Sequence, residues 1–166
     1  MWRLNEAAMT ESYLAYLNLG SNIQPETNLP KALKLLSEYG EILKVSNAWE
    51  SKSVGASGPN YLNACVLFQC TFDRMGLKNE VIRPIETQLG RRRSKDKNAP
   101  RTIDIDVILF DDKPMRDNIW EAAFVIVPLA EIYPEYQHPI TRESIKEIAT
   151  CLRQEVWLET RRGVFD

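Results

Sequence analysis

The chain has 166 residues, is 44% hydrophobic and 27% charged, and carries a formal net charge of −2. That length predicts one domain with its own core, and the composition excludes collagen-like, low-complexity and strongly disordered chains. The charge is uneven, because Arg91 to Arg101 reads RRRSKDKNAPR, six basic residues against one acidic, a local +5 inside a remainder of −7.

Residues 1–11 read as a loose leader and 12–166 as the single domain. Residues 13–19, YLAYLNL, alternate as a strand does and end at Gly20-Ser21-Asn22. A helix is expected over 28–39, with Leu29, Ala32, Leu33, Leu36 and Tyr39 on one face, Pro30 in its first turn and Gly40 past its end. Residues 42–49 read as a second strand, GASGPN (55–60) as a loop, and 61–70 as a third strand. Asp73 is placed to cap a helix over 74–89, where Pro84 removes the bond to the carbonyl of residue 80 and predicts a kink. Residues 103–110, IDIDVILF, read as a fourth strand, followed by a turn from Asp111 to Pro114. FVIV (124–127) is expected as a short strand, PLAEIYP as a helical turn, and 141–152 as a helix capped by Thr141. The last fourteen residues carry little pattern. The order β-α-β-β-α-β predicts an α+β fold, the ferredoxin-like sandwich with helices on one face of an antiparallel sheet.

The three cysteines, Cys65, Cys70 and Cys151, form no CxxC pair, and their odd number fits free, buried thiols in a reducing compartment. Cys65 and Cys70 are five apart on one strand and so face opposite sides, as small hydrophobes. No apolar run is long enough for a membrane span and the N-terminus has no signal-peptide core, so the expectation is cytoplasmic. His138 is the only histidine, which excludes a multi-histidine zinc site; it reads as a surface loop residue, and Trp49 as core.

The sharpest chemical feature is Asp104-x-Asp106. Strand side chains alternate, so both carboxylates leave one face, about 7 Å apart along the strand, while Ile103, Ile105 and Val107 take the other. Like charges so placed raise each other's pKa, and hard oxygen ligands of this kind suit magnesium shared with substrate phosphates. Just upstream, Arg91, Arg93 and Arg101 are suited to clamp phosphates. Together the carboxylates and cations are what phosphoryl transfer needs. No GxxxxGK[ST] or kinase GxGxxG occurs, so phosphates must be held by side chains. Tyr61 and Asn63 share a strand face, where a ring and an amide can stack on and hydrogen-bond a flat heterocycle.

With these residues in view, the sequence resembles the 6-hydroxymethyl-7,8-dihydropterin pyrophosphokinase family. The resemblance is carried by Ala99-Pro100-Arg101-Thr102-Ile103-Asp104-Ile105-Asp106-Val107-Ile108-Leu109, with support from Leu19-Gly20-Ser21-Asn22, Tyr61-Leu62-Asn63-Ala64, Ile85-Glu86, Gly90-Arg91-x-Arg93, Phe124 and Pro128-Leu129. It covers roughly residues 13–135. It implies a ferredoxin-like α-β-α sandwich and a folate-pathway enzyme with two small-molecule substrates, ATP and a pterin, and no nucleic-acid or membrane partner. ATP gives its β,γ-pyrophosphate to the pterin hydroxymethyl group, and AMP is released. By the same resemblance, Asp104 and Asp106 hold two magnesium ions. Arg91, Arg93 and Arg101 are catalytic and ATP-binding. Ser51, Lys52, Ser53, Val54, Tyr61, Asn63 and Phe124 bind the pterin.

The chain departs from the family pattern in places. Asn98 and Ala99 stand where the family has Trp and Gly before Pro-Arg, and Ser51-Lys52-Ser53 replaces its threonine-proline loop. A Pro-His…Arg stretch is missing between the fourth strand and Phe124, where Arg116 and Lys113 are the only cations. The expectation is therefore a short, divergent pyrophosphokinase. The alternatives are an impaired paralogue that binds pterin or nucleotide, and a ferredoxin-like RNA-binding module, against which stands the lack of the aromatic-rich motif of that class.

Overall fold

A computed structural model describes residues 10–53, 55 and 58–166. Most of the leader expected at 1–11 and Val54 of the candidate pterin loop lie outside the described residues.

Seven strands form one sheet. They are β1 (Tyr13–Ser21), β2 (Glu41–Val45), β3 (Ala48–Ser51), β4 (Tyr61–Cys70), β5 (Asp104–Phe110), β6 (Lys113–Pro114) and β7 (Leu158–Arg161). The order is β6-β5-β1-β4-β3-β7, with β2 also paired to β4, and every pairing is antiparallel. The four central positions, β5-β1-β4-β3, are those of the ferredoxin-like α+β fold. The single strand expected over 42–49 is two strands, separated at Ser46. The Ser46 hydroxyl accepts the Cys65 N–H at 2.8 Å, and the Ser46 N–H donates to the Cys65 carbonyl at 2.9 Å. A step in the edge thus costs no backbone hydrogen bond.

Strand alternation sorts β1 into two faces. Ala15, Leu17 and Leu19 pack with Leu62, Val66 and Phe68 against α1 (Pro25–Leu36) and against α3 (Arg83–Gln88) with the turns that precede it. Tyr16, Cys65, Leu67 and Ile108 pack on the opposite face against α4 (Ala123–Ile132) and α5 (Ile145–Glu155). The layers are therefore helix, sheet, helix, rather than helices on one face alone. Cys65 and Cys70 fall in different cores, as their spacing predicts; Cys151 is exposed, against expectation.

Several elements differ from the sequence reading for physical reasons. α1 starts three residues early, at Pro25, which takes the first-turn position assigned to Pro30; Pro30 lies inside the helix. Gly40 is not a helix cap: a Cβ there would meet the Gln69 carbonyl oxygen at 2.4 Å. Tyr39 is exposed. The helix expected over 74–89 is three pieces, α2 (Arg74–Gly76), a π-helical turn (Leu77–Ile82) and α3. Asp73 does cap it, its Oδ1 accepting the Gly76 N–H at 2.7 Å. The π turn ends where Arg83 N–H donates to the carbonyl of Lys78, one residue before Pro84, and this takes the place of a simple kink. FVIV is helix, not strand. α4 is buried along nearly its whole length between sheet and α5, and that burial overrides the β propensity of its branched residues. α5 is capped by Ser144 in a capping box with Glu147, not by Thr141. The unpatterned C-terminal stretch supplies β7.

Candidate active site

The site begins with strand register. Gly20 of β1 lies between Asn63 of β4 and Asp104 of β5, and Asn18 lies between Cys65 and Asp106. All of these project to the α4–α5 face. α4 covers only the half of that face holding Tyr16, Leu67 and Ile108. The other half is left open as a polar floor. A Cβ at Gly20 would stand 3.0 Å from the Asn63 Oδ1, so the absent side chain is what opens the centre of the floor.

Over this floor is a cavity of about 260 Å³, walled by Ser51, Lys52, Ser53, Tyr61, Asn63, Asn98 and Phe124, with Asp104 and Asp106 at one side. Phe124 stands at the start of α4 and is 38% exposed, unlike the buried apolar residues that flank it on that helix. The Asn63 amide donates to the Ser51 hydroxyl at 2.9 Å, which fixes the buried amide in the wall. Burial raises the Tyr61 pKa, with Arg101 and Arg91 pulling the other way, so the ring is a neutral phenol at physiological pH. Every described member of the pterin set proposed by resemblance therefore lines one cavity.

A second cavity of about 500 Å³ opens at the free part of the β5 edge. Its walls carry Arg74, Lys78, Arg83, Arg91, Arg93, Arg101 and Arg116, against the carboxylates Glu86, Asp104 and Asp106. Arg101, Asp104 and Asp106 belong to both cavities. The carboxylate pair is thus the wall between an aromatic, amide-lined pocket and a cationic one.

Asp104 is held on both oxygens. Arg91 donates to Oδ1 and Arg101 to Oδ2, each at 2.5 Å, and Arg91 also pairs with the buried Glu86. Asp106 makes a looser ion pair, with Arg116 at 3.7 Å. Burial, then the charge of Asp104, raises the Asp106 pKa, and Arg116, Arg91 and Arg101 oppose that rise. A divalent cation beside the pair would remove both causes. Two carboxylates on one strand face suit magnesium, which takes its remaining ligands from water and phosphate.

Sequence reasoning missed several participants. Arg74, Lys78 and Arg83 sit on the helix facing β5 and look in sequence like a solvated helix face. Glu86 is one of the few buried carboxylates, and its place beside Gly90-Arg91 was its only signal. Asn22 accepts the Arg101 N–H on its side-chain oxygen at 2.7 Å, while the Asn22 and Ile23 N–H groups donate to the Arg101 carbonyl. The Gly20-Ser21-Asn22 segment is therefore the clamp that positions Arg101, more than a strand terminator. His138 lies elsewhere, packed against Trp120 with ring centroids 4.4 Å apart and the planes tilted by 44°.

Comparison with known proteins agrees with this architecture. The model of the family described as 7,8-dihydro-6-hydroxymethylpterin-pyrophosphokinase (HPPK) matches residues 16–134. The 2-amino-4-hydroxy-6-hydroxymethyldihydropteridine pyrophosphokinase of Aquifex aeolicus is 34% identical over 142 residues, covering 80% of this chain and 88% of that protein. The protein of the same name from Synechocystis sp. is 30% identical over 145 residues, covering 81% of this chain and 73% of its own. Among solved structures, Plasmodium falciparum HPPK-DHPS with pterin and p-hydroxybenzoate superposes with a TM-score of 0.66 at 14% identity, which speaks for the fold. The match covers 87% of this chain but only 42% of that longer one. The residues matched by the family model run from β1 through α4 and hold both carboxylates and most of both cavity walls, and the chain belongs to the HPPK family.

Proposed function

We propose that this chain, a pyrophosphokinase of folate biosynthesis, transfers the β,γ-pyrophosphate of ATP to the hydroxymethyl group of 6-hydroxymethyl-7,8-dihydropterin. The observation that carries the reading is the shared wall: Asp104 and Asp106 border both an aromatic pocket and a cationic one. A flat pterin suits the first, with Tyr61 and Phe124 offering ring faces and Asn63 an amide. A triphosphate suits the second, whose arginines neutralise its charge. The hydroxymethyl oxygen bonds to the β-phosphorus, the bond from that phosphorus to the α-bridging oxygen breaks, and AMP leaves while the alcohol gives up its proton.

Asp104 and Asp106 would hold the magnesium, two ions in our reading, which supplies charge neutralisation on the transferring phosphates. Arg91 and Arg101, now paired with Asp104, are positioned to turn to phosphate when a cation takes their place. Arg93 and Arg116 add charge at the mouth, and Arg116 answers in part for the missing Pro-His…Arg stretch. Ser51, Lys52, Ser53 and Val54 complete the pterin side. Gly55 approaches Asn98, a wall residue of the aromatic cavity, a Cβ there lying 3.2 Å from the Asn98 amide nitrogen, and this contact helps to exclude water on that side.

We read residues 12–166 as one catalytic unit, since β7 pairs with β3 in the sheet that β1 begins. Among the described residues no helix is long and apolar enough to cross a membrane, and free thiols suit a reducing cytoplasm. The test is direct: protein, ATP, magnesium and the pterin are incubated and AMP is measured. AMP formation dependent on all three is expected; none above background from folded protein overturns the reading.

A further inference from the structure

One polar atom in the floor has no job in the empty protein. Asn18 is 5% exposed, and its Oδ1 is buried with no hydrogen-bond partner among the described residues. It lies in the wall of the aromatic cavity, across from Asp106 on β5 and Cys65 on β4. Burial raises the Cys65 pKa, so that neighbour stays a neutral thiol. Its two neighbours on this face of β1 have clear roles: Tyr16 stacks on Tyr133 with centroids 4.9 Å apart, and Gly20 opens the floor.

Physics would fill the Asn18 position differently if packing were all that mattered. A buried amide without a partner is unfavourable, and a leucine, larger but branched in the same way, would join the apolar cluster of Tyr16, Cys65 and Ile108 below it. An amide kept at this cost points to a partner that arrives with a ligand. The oxygen and nitrogen ends of the amide exchange by a half-turn, so the buried end can accept or donate, and an O–H group, which does both, satisfies either.

We propose that Asn18 is a further binding residue of this pocket, hydrogen-bonding an O–H group held beside Asp106. This rests on the pterin reading of the cavity. Two sources of that O–H are chemically equivalent here: the alcohol of the substrate and a water carried by the divalent cation. In the first case Asn18 sets where the attacking oxygen stands relative to the carboxylate pair; in the second it fixes the cation's water there.

The experiment uses the full chain as Asn18→Leu, with Asn18→Ala as a smaller substitution that avoids overpacking. Three quantities are read without turnover: the thermal midpoint of the empty protein, the affinity for 6-hydroxymethylpterin against 6-methylpterin by fluorescence, and the affinity for Mn2+. A midpoint for Asn18→Leu equal to or above that of the wild type is expected. If the alcohol is the source, the wild type prefers the hydroxymethyl compound by about five- to tenfold, as one hydrogen bond provides, and both variants lose the preference. If the cation's water is the source, the preference survives and Mn2+ affinity falls by a similar factor. Variants that keep both the preference and the Mn2+ affinity overturn the proposal, whatever their stability. A wild type that binds neither pterin nor Mn2+ overturns the pocket reading and this inference with it; one that binds normally beside unaffected variants overturns the inference alone.

Discussion

The two cavities differ in almost everything except the residues they share. One is walled mainly by rings, amides and hydroxyls, with Lys52 and Lys97 as its unshared cations, the other by seven cations against three carboxylates. The first is framed by strands, a loop and the start of α4; the second lies between a strand edge and a helix. The difference teaches that two chemically unlike cavities can be made from the two sides of one strand, which is the basis of the two-substrate proposal. β5 is the divider, because its pairing with β6 is only two residues long and leaves the Asp104–Asp106 end of that edge open.

The largest test of that division acts on the divider itself. Asp104→Asn keeps the volume but frees Arg91 and Arg101, and steady-state turnover should fall by roughly 10²–10³-fold, the loss seen when one preorganised electrostatic group is removed from an active site. A variant with near-normal kcat would mean the shared wall is not the reacting centre. Next, Gly20→Ala should act on one side only. The new Cβ presses on the Asn63 amide at 3.0 Å, and KM for the pterin should rise about tenfold with KM for ATP unchanged. Equal effects on both would break the comparison. Arg83→Ala should do the converse, weakening ATP binding by about tenfold, as loss of a charge-assisted contact does, with an effect that shrinks as salt is raised. Isothermal titration with ATP at two salt concentrations reads both. The smallest effect is expected from Phe124→Leu, which keeps an apolar wall but loses ring stacking; pterin affinity by fluorescence should drop about two- to tenfold.

How much of this was legible in sequence differs between the same two regions. The aromatic cavity could be read because alternation places Tyr61 with Asn63 and Asp104 with Asp106, and register brings the two pairs to one cavity. The cationic side could not, because Arg74, Lys78 and Arg83 have the spacing of any solvated helix face, and nothing local says that the face looks onto a free strand edge. FVIV shows a second limit: a short, wholly apolar run has no period, so a buried helix and a buried strand look alike. β7 shows a third, since a strand that is mostly exposed has no burial to impose alternation on LETR.

The π-helical turn at Leu77–Ile82 has an effect on phase. It adds about one residue to a turn, so everything beyond it is rotated by about 100° relative to an unbroken α-helix. Glu86 is twelve positions after Arg74, and in a regular helix it would point about 120° away from it. With the inserted residue the two fall on nearly the same line, and both wall the cationic cavity. The same rotation leaves Leu77, Val81, Ile82 and Ile85 buried in the core beneath. The extra residue is therefore a gear tooth: it lets one helix keep its grip on the sheet while turning Arg83 and Glu86 into the wall of the cationic cavity. Deleting one residue from that turn should leave a folded protein whose cationic wall faces the wrong way.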